Sequence, residues 1–441
     1  MEKLDNMNFC KNFNDIDNTI DKILNIAEKE GYEADIYISK DDDFSAELEG
    51  KHLDNVETSD SFGMGVRVIK DGKVGLAYST VQSPEIIYKA MANLVKDKYT
   101  EIPSPQKYKT PKGIFFKELR EINQSKILED VFYMAEELEK NNITAVGGGV
   151  STSYGYSRLI NTNGIDVEEE GTYYSASISG IKDGETAYEY LTKNNMFNVD
   201  IISDYVINIL KNTQSIKESF EGNIVLSPRA LYSLLAYTLI PAFNAESVQR
   251  NRSMLAGKIG EKIFGENISI YDDSTLDNAL YSSKTDDEGI PSQRTVLVED
   301  GILKNYLYDI KRANIENESK KDEKERVKTT GNASRGYSSL PSISSSNIII
   351  NPVEKIEELD KYLYVNSLIG THTSNPITGD FSVEISNSYI VNKGDKTPVK
   401  KGMLSGNIFE ILKEAVPLDN VEQRGKLIAP ALKFNGKTII E

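Results

Sequence analysis

The chain has 441 residues, a formal net charge of −17, two histidines and one cysteine. This acidic balance excludes a protein that binds nucleic acid mainly through phosphate contacts, because such contacts need clustered Lys and Arg. Apolar residues make up 39% of the chain, which is typical of a water-soluble globular protein with two or three domains.

No targeting or membrane segment is predicted. Residues 1–18 are polar and lack the apolar stretch of a signal peptide. The longest apolar run, 231–243, contains Pro241 and is too short to span a bilayer. Cys10 cannot form an intrachain disulfide by itself or build a Cys-rich metal site. We therefore expect a cytoplasmic protein without a membrane contact.

The first part, 1–100, predicts an α+β domain with hairpins. Apolar residues at helical spacing predict a helix from Ile16 to about Gly31. Asp71-Gly72 predicts the turn of a hairpin over 66–77. Ser83-Pro84 predicts an N-cap and first helical residue, with the helix continuing to Val95. The other predicted strands cover 34–40 and 44–48.

A stretch with Pro and Lys at 102–112 reads as a linker, and a middle α+β segment, 113–215, is expected to pack on the first domain. Its predicted helices cover 125–140 and 200–211. Asn163-Gly164 and Asp183-Gly184 predict hairpin turns between its strands. The Gly-rich stretch 146–150 matches neither G-x-G-x-x-G nor a P-loop, so close approach of strands is the favoured interpretation.

The last part, 222–441, predicts a mostly antiparallel, barrel-like β domain. Ser227-Pro228 predicts the start of a helix that runs to Leu239. Asp300-Gly301 predicts a turn between strands, and the mixed-charge run 314–327 predicts a solvated loop. The predicted strands cover 224–226, 294–299, 302–310 and 347–350. The whole chain is thus predicted to be α+β.

The chain has only two histidines, which limits the metal sites that it can form. Neither His52 nor His372 opens an HExxH or HExxxH helix, and a zincin-like site needs two imidazoles on one helical face. The acidic clusters 41–43, 272–273 and 286–288 lack EF-hand spacing, and solvated turns are the favoured interpretation. We expect no metal to be bound by this chain itself.

One polar segment stands out as a candidate site. In residues 370–382, Asn375-Pro376 and Gly379-Asp380 have turn chemistry, and alternating apolar residues follow. Such a loop at the start of a strand can present backbone groups to a ligand. A Ser-His-Asp triad would have to use His372, with Asp380 nearby in sequence, but a hydrogen-bonded loop residue is the commoner role for such a histidine.

Several blocks resemble the TldD/PmbA (TldE) metallopeptidase family in the same order along the chain. The segment 370–382 is one of them, and the hairpin 65–77 also fits. Each block alone is a weak family signal. The resemblance rests on their common order, and it covers essentially the whole chain. The other blocks are 253–260, 287–295, 306–309, 329–336, 402–409 and 429–432.

The resemblance implies a noncatalytic, PmbA/TldE-type subunit. In TldD-type members an HExxxH helix precedes the block at 253–260. Counting back without gaps places its histidines at Ala236 and Pro241 and its glutamate at Tyr237, so the ligands and the general base are lost. Zinc is then expected only in a TldD-type partner, and the complex would process unstructured peptides.

The resemblance also suggests a peptide-binding or subunit-contact role for six residues of the polar segment, with a purely structural turn as an equal alternative. Two other functions stay open: a stand-alone peptidase with a divergent site near His372, and a non-enzymatic peptide-binding or assembly protein that pairs with itself. The six residues are His372, Asn375, Thr378, Gly379, Asp380 and Phe381.

Overall fold

The computed structural model describes residues 16–352 and 359–439, so Cys10 lies outside the described residues. The elements of the first half are listed here in chain order. Helices: α1 Ile16–Glu30, α2 Ile86–Ala92, α3 Lys117–Arg120, α4 Gln124–Lys140 and α5 Asp200–Leu210. Strands: β1 Glu33–Glu49, β2 His52–Lys70, β3 Lys73–Ser79, β4 Val95–Lys96, β5 Thr144–Asn161, β6 Asp166–Lys182 and β7 Glu185–Lys193.

These strands form one antiparallel sheet in the order β4-β3-β2-β1-β5-β6-β7. The sheet joins the predicted first and middle parts, because β1 pairs with β5 from Asp35↔Asn161 to Glu49↔Gly147. Apolar faces of α1 and α2 pack on β1–β3, and those of α4 and α5 pack on β5–β7. The domain limits 1–100, 113–215 and 222–441 stay predictions.

The second half contains short strands and helices. Helices: α6 Pro228–Thr238, α7 Ala245–Gln249, α8 Ile310–Asn317 and α9 Ile408–Glu414, with 3-10 turns at Ile240–Phe243, Glu323–Glu325 and Thr371–Thr373. Strands: β8 Phe220–Leu226, β9 Ile270–Asp273, β10 Arg294–Glu299, β11 Ile302–Leu303, β12 Ala333–Ser334, β13 Ser342–Ile343, β14 Ile348–Ile350, β15 Lys361–Val365, β16 Ser367–Ile369, β17 Asp380–Ser386, β18 Tyr389–Asn392, β19 Asp395–Pro398, β20 Gly402–Asn407, β21 Val416–Pro417, β22 Glu422–Arg424, β23 Leu427–Ala429 and β24 Leu432–Ile439.

A curled, half-barrel sheet dominates this half, with the order β16-β17-β20-β24-β8-β15-β18-β19 and β21 beside β24. Its pairs are antiparallel except β15 with β8. A second sheet has the order β11-β10-β9-β14-β23-β22, and β12 pairs with β13. One apolar core lies between these elements and α6. The predicted α+β class with a barrel-like C-terminal domain is confirmed.

Local signals in the sequence give several of the turns and caps. Asp71 and Gly72 have φ values of 50° and 67°, as a tight hairpin turn requires. The Ser227 hydroxyl accepts a hydrogen bond of 3.0 Å from the Ala230 N–H and caps α6. Gly148 permits close strand contact, because a Cβ there would lie 2.5 Å from the Ser177 carbonyl oxygen.

Three element predictions are corrected by the structure. The helix predicted from Ser83 begins only at Ile86 and ends at Ala92, since Val95 pairs with Val74 in the sheet. The strand predicted over 302–310 ends at Leu303. Its last part leads into α8, which also takes up the start of the run predicted as a loop over 314–327, because the Asp309 carboxylate accepts from the Arg312 N–H at 2.7 Å and caps that helix.

No helix within residues 16–352 and 359–439 is long and apolar enough to cross a membrane.

Candidate functional site

Helix α6 carries the first of the predicted site positions. Ala236 is half-buried, and Tyr237 is 46% exposed. The α-helix ends at Thr238, and Pro241 lies in the 3-10 turn that follows. Neither alanine nor proline has a side-chain donor atom for a metal, so the three positions cannot form a His₂ zinc site.

The polar segment 370–382 lies beside this helix. Helix α6 packs against both β16 and the 3-10 turn Thr371–Thr373, which contains His372. His372 is exposed. The fold therefore places the two predicted sites, the altered helix and the polar segment, next to each other.

Polar residues within the segment hydrogen-bond to one another. Asn375 Oδ1 accepts from the Ile377 and Thr378 N–H groups at 2.9 and 3.2 Å. Thr378 Oγ1 donates to Asp380 Oδ2 at 2.6 Å, and Asn407 Nδ2 donates to Asp380 Oδ1 at 2.7 Å. These two donors lower the pKa of Asp380. Both oxygens of the Asp380 carboxylate are thus already engaged by neighbours other than His372.

Two residues of the segment, Gly379 and Phe381, pack against the protein interior. Gly379 has φ 77°, and a Cβ there would lie 2.5 Å from the Phe409 ring. Phe381 is buried in the C-terminal core. The exposed members of the predicted set are His372, Asn375 and Asp380. The segment therefore offers an exposed polar surface over a hydrogen-bonded turn.

The structure also contains a polar cavity that the sequence analysis did not predict. It has a volume of about 360 Å³ and lies between the first sheet and the C-terminal part. One wall carries Tyr37, Glu169 and Tyr173 from β1 and β6. The opposite wall carries Asp286, Asp287, Asn332, Tyr281, Lys426 and a series of serines.

In the acidic clusters at 272–273 and 286–288, Asp287 is half-buried and the other residues are buried, so their interpretation as solvated turns is wrong. Asp272 is 1% exposed and Glu288 is 2% exposed. Asp286 accepts from three backbone N–H groups, those of Glu288, Ile290 and Ala333, at 2.9 to 3.1 Å. Burial and the nearby charge of Glu288 raise the pKa of Asp286. Two of these donors are local, whereas Ala333 lies 47 positions away and was not visible in the local sequence pattern.

Four buried charges, which we call the interdomain ion network, join the two halves beside the cavity. They are Asp35, Arg67, Glu288 and Arg335. Asp35 accepts from Arg67 Nε at 2.9 Å and from Arg335 Nη1 at 3.0 Å, and Arg67 Nη1 donates to Glu288 at 3.3 Å. Burial acts to raise the pKa of Asp35, but the charges of Arg335 and Arg67 outweigh it and the pKa is lowered.

The cavity wall and the network are connected through Asp287. Its Oδ1 accepts from the Tyr37 hydroxyl at 3.1 Å, and its Oδ2 accepts from the Arg335 N–H at 2.8 Å. Within the described ranges, no three His, Cys, Asp or Glu side chains are grouped to hold a metal ion. The sequence signals for this site are the blocks at 287–295 and 329–336, which stand out only by their family likeness.

Family models match three consecutive parts of the chain. They describe the PmbA/TldA metallopeptidase domain 1 over residues 34–98, the central domain over 117–213 and the C-terminal domain over 219–441. A Methanocaldococcus jannaschii protein, "Uncharacterized protein MJ0231", is 56% identical over 422 residues, which cover 95% of this chain and 99% of the relative.

Two further relatives carry names from this family. "Metalloprotease TldD homolog" of Buchnera aphidicola subsp. Schizaphis graminum is 25% identical over 81% of this chain and 79% of its own length. The crystal structure of TldE from Thermococcus kodakarensis superposes with a TM-score of 0.85 at 26% identity, covering 95% of this chain and 99% of that one. The chain belongs to the PmbA/TldD metallopeptidase family.

Proposed function

We propose that this protein is a noncatalytic, TldE-type subunit that assembles in the cytoplasm with a TldD-type metallopeptidase and takes part in the processing of unstructured peptides. The observation that carries the proposal is the chemistry of α6 and the 3-10 turn after it, where Ala236, Tyr237 and Pro241 stand at the positions that a gap-free count from the block at 253–260 assigns to HExxxH. Zinc would then be held by the partner subunit. The likeness to a TldE structure supports the same role.

The contact with the partner is proposed to involve the polar segment 370–382 and the adjoining end of α6. Ile377 and Ile369 are 42% and 47% exposed, and Tyr237 on α6 is 46% exposed. Large apolar side chains on the surface next to polar ones are typical of protein interfaces. Asn375 and Asp380 would fix the shape of this contact through the hydrogen bonds described above.

The experiment is a reconstitution. The chain would be purified alone and together with a TldD-type subunit from the same genome, and each sample would be assayed for bound zinc and for cleavage of an unstructured peptide. We expect zinc and cleavage only where the TldD-type subunit is present. Metal-dependent cleavage by the chain alone would overturn the proposal and favour a stand-alone peptidase.

A surface variant tests the contact itself. Replacement of Ile377 by Asp places a charge in the proposed interface and is expected to weaken co-purification about tenfold or more, because a buried unpaired charge is costly. Val81→Asp is the matched control, since Val81 is 65% exposed on the first domain. Equal co-purification of both variants would exclude this surface as the contact.

A further inference from the structure

The cavity has an acidic wall with unused hydrogen-bonding capacity. Glu169 Oε2 accepts from the Lys284 N–H at 2.6 Å. Over the described part of the chain, no hydrogen bond reaches the second oxygen of this carboxylate. Burial is the main cause that raises the pKa of Glu169, to about 7, and the charge of Asp287 adds to it. A cation in the cavity would favour the charged form of Glu169 and so offset the cost of burying its carboxylate.

The charges around the cavity leave a local excess of acid. The interdomain ion network contains two arginines and two carboxylates, so its charges balance. Lys426 Nζ donates to Ser344 Oγ and to the Ser345 carbonyl at 2.7 Å, and its charge is offset by the buried Asp272 behind it. The lining carries three further carboxyl groups, Glu169, Asp286 and Asp287. Lys284 lies close enough for its charge to act on Glu169, but the carboxyl groups still outnumber the cations. The cavity is suited to a positively charged guest.

Aromatic rings surround the same space. Tyr37, Tyr173 and Tyr281 all line the cavity. Arg335 already lies over the Tyr37 ring at 5.0 Å and Lys426 over the Tyr281 ring at 5.3 Å, so Tyr173 is the ring of the three that has no such cation among the described residues. The face of a tyrosine ring attracts a cation within about 6 Å of its centroid, and sites that bind organic ammonium groups commonly combine such rings with carboxylates. A hydrated metal ion would gain little from these rings, and the absence of a three-ligand group among the described side chains also argues for an organic cation.

A buried acceptor adds a second, independent observation. Asn332 lines the cavity and is 4% exposed. Its Nδ2 donates to Asp272 Oδ1 at 2.8 Å and to the Ser344 carbonyl at 3.2 Å, which fixes the orientation of the amide. Its Oδ1 has no partner in the described structure. Buried acceptors in native proteins nearly always have a hydrogen-bond partner, so this oxygen favours a ligand that donates a hydrogen bond.

We propose that this cavity binds a primary ammonium group, carried by the N-terminus of a short peptide, between Glu169, Asp287 and Tyr173. The volume of about 360 Å³ is in the range of small-molecule pockets and accommodates one or two residues. The inference extends the proposed function by naming the peptide end that is recognised. It is tested on this chain alone, so its failure is distinguishable from failure of assembly with a partner.

Calorimetric titration with two matched peptides is the test. Trialanine carries a free ammonium group, whereas N-acetyl-trialanine differs only in lacking it. At about pH 7.5 most α-amino groups are protonated. We expect trialanine to bind the full-length chain and N-acetyl-trialanine to show no heat of binding up to about 10 mM. Equal binding of both peptides, or binding of neither, would overturn the proposal.

Two glutamine variants on the same strand assign the contact. Glu169→Gln keeps the side-chain shape and the acceptor for the Lys284 N–H, and it is expected to weaken trialanine binding about tenfold or more, as loss of a charge-assisted hydrogen bond does. Glu168→Gln is the control, because Glu168 is exposed and pairs with Arg158 at 3.2 Å. Equal losses in both variants, or none in Glu169→Gln, would contradict the assignment.

A third ligand distinguishes the source of the ammonium group. N-α-acetyl-lysinamide carries its ammonium group on a side chain instead of the peptide N-terminus. Tighter binding of trialanine than of this compound supports recognition of the N-terminus. Tighter binding of the lysine compound would overturn that part of the proposal.

Discussion

Arg335 Nη1 donates a hydrogen bond of 3.0 Å to Asp35 Oδ1 between residues that are 300 positions apart in the sequence. Both side chains are almost fully buried, at 2% and 1% exposed. Asp35 lies on β1 of the first sheet, and Arg335 directly follows β12 in the second half. The two halves are therefore held together by a charged contact that excludes water. Such contacts stabilise only while every partner is present.

Replacement of Arg335 by Met is expected to lower the free energy of unfolding by about 3 kcal/mol, because Asp35 then keeps only Arg67 as its buried partner. Urea denaturation at neutral pH measures this. The control is Arg250→Met, which removes an exposed pair with Glu246 at 2.7 Å and should cost about 1 kcal/mol or less. Similar losses in the two variants would show that the network does not stabilise the joined halves.

Gly65 and Tyr337 approach each other too closely for any side chain at position 65. A Cβ built on Gly65 would lie 1.9 Å from the Tyr337 carbonyl oxygen. Gly65→Ala must shift backbone in one half, and we expect thermal or urea unfolding to show a loss of about 2 kcal/mol or more. Gly336→Ala is the control, because a Cβ there meets nothing within 4 Å. Equal stability of both variants would contradict the packing.

Glu169 gives a pH-dependent prediction. Its pKa in the folded protein is about 7, above the ordinary value of 4.5, so the folded state holds a proton that the unfolded state releases between these pH values. Stability therefore falls as the pH rises through this window, by about 3 kcal/mol in total. Glu169→Gln removes the titration and should be more stable than wild type at about pH 8 and similar near pH 4.5.

Urea unfolding at several pH values measures this difference. Glu168→Gln serves again as the control and should stay within about 0.5 kcal/mol of wild type at every pH, since its ion pair is exposed. A stability difference for Glu169→Gln that does not change with pH would show that this carboxyl is not the titrating group.

Asp380 tests the role of the polar segment. Asp380→Ala removes the acceptor for Thr378 and Asn407, so the turn loses the bonds that fix its shape. We expect weaker assembly with a TldD-type subunit and slower peptide cleavage by the mixture, with little change in melting temperature because the group is exposed. Asp395→Ala, at an exposed hairpin turn of the same sheet, should leave both unchanged. If Asp380→Ala also leaves both unchanged, the segment is only a structural turn.

Local sequence patterns predicted the turns and helix caps that are formed by residues close together in sequence. Asp71-Gly72 and Ser227-Pro228 act within a few residues, and their turn and cap were predictable for that reason. The burial of Asp286 and Glu288 was not predictable, because Ala333 and Arg67, which contact them, lie far away in sequence. The same holds for the cavity, whose walls meet only in the folded chain. Family likeness located Ala236, Tyr237 and Pro241, which no periodicity singles out.

The long sequence separation within the ion network has a consequence for biosynthesis. Asp35 and Arg67 are 32 positions apart and can pair soon after β2 leaves the ribosome, whereas Arg335 emerges much later. Until then, the sheet surface at Gly65 lacks the Tyr337 segment that covers it. A nascent or prematurely terminated product thus displays Asp35 with one of its two arginine partners, beside a glycine surface that is still uncovered.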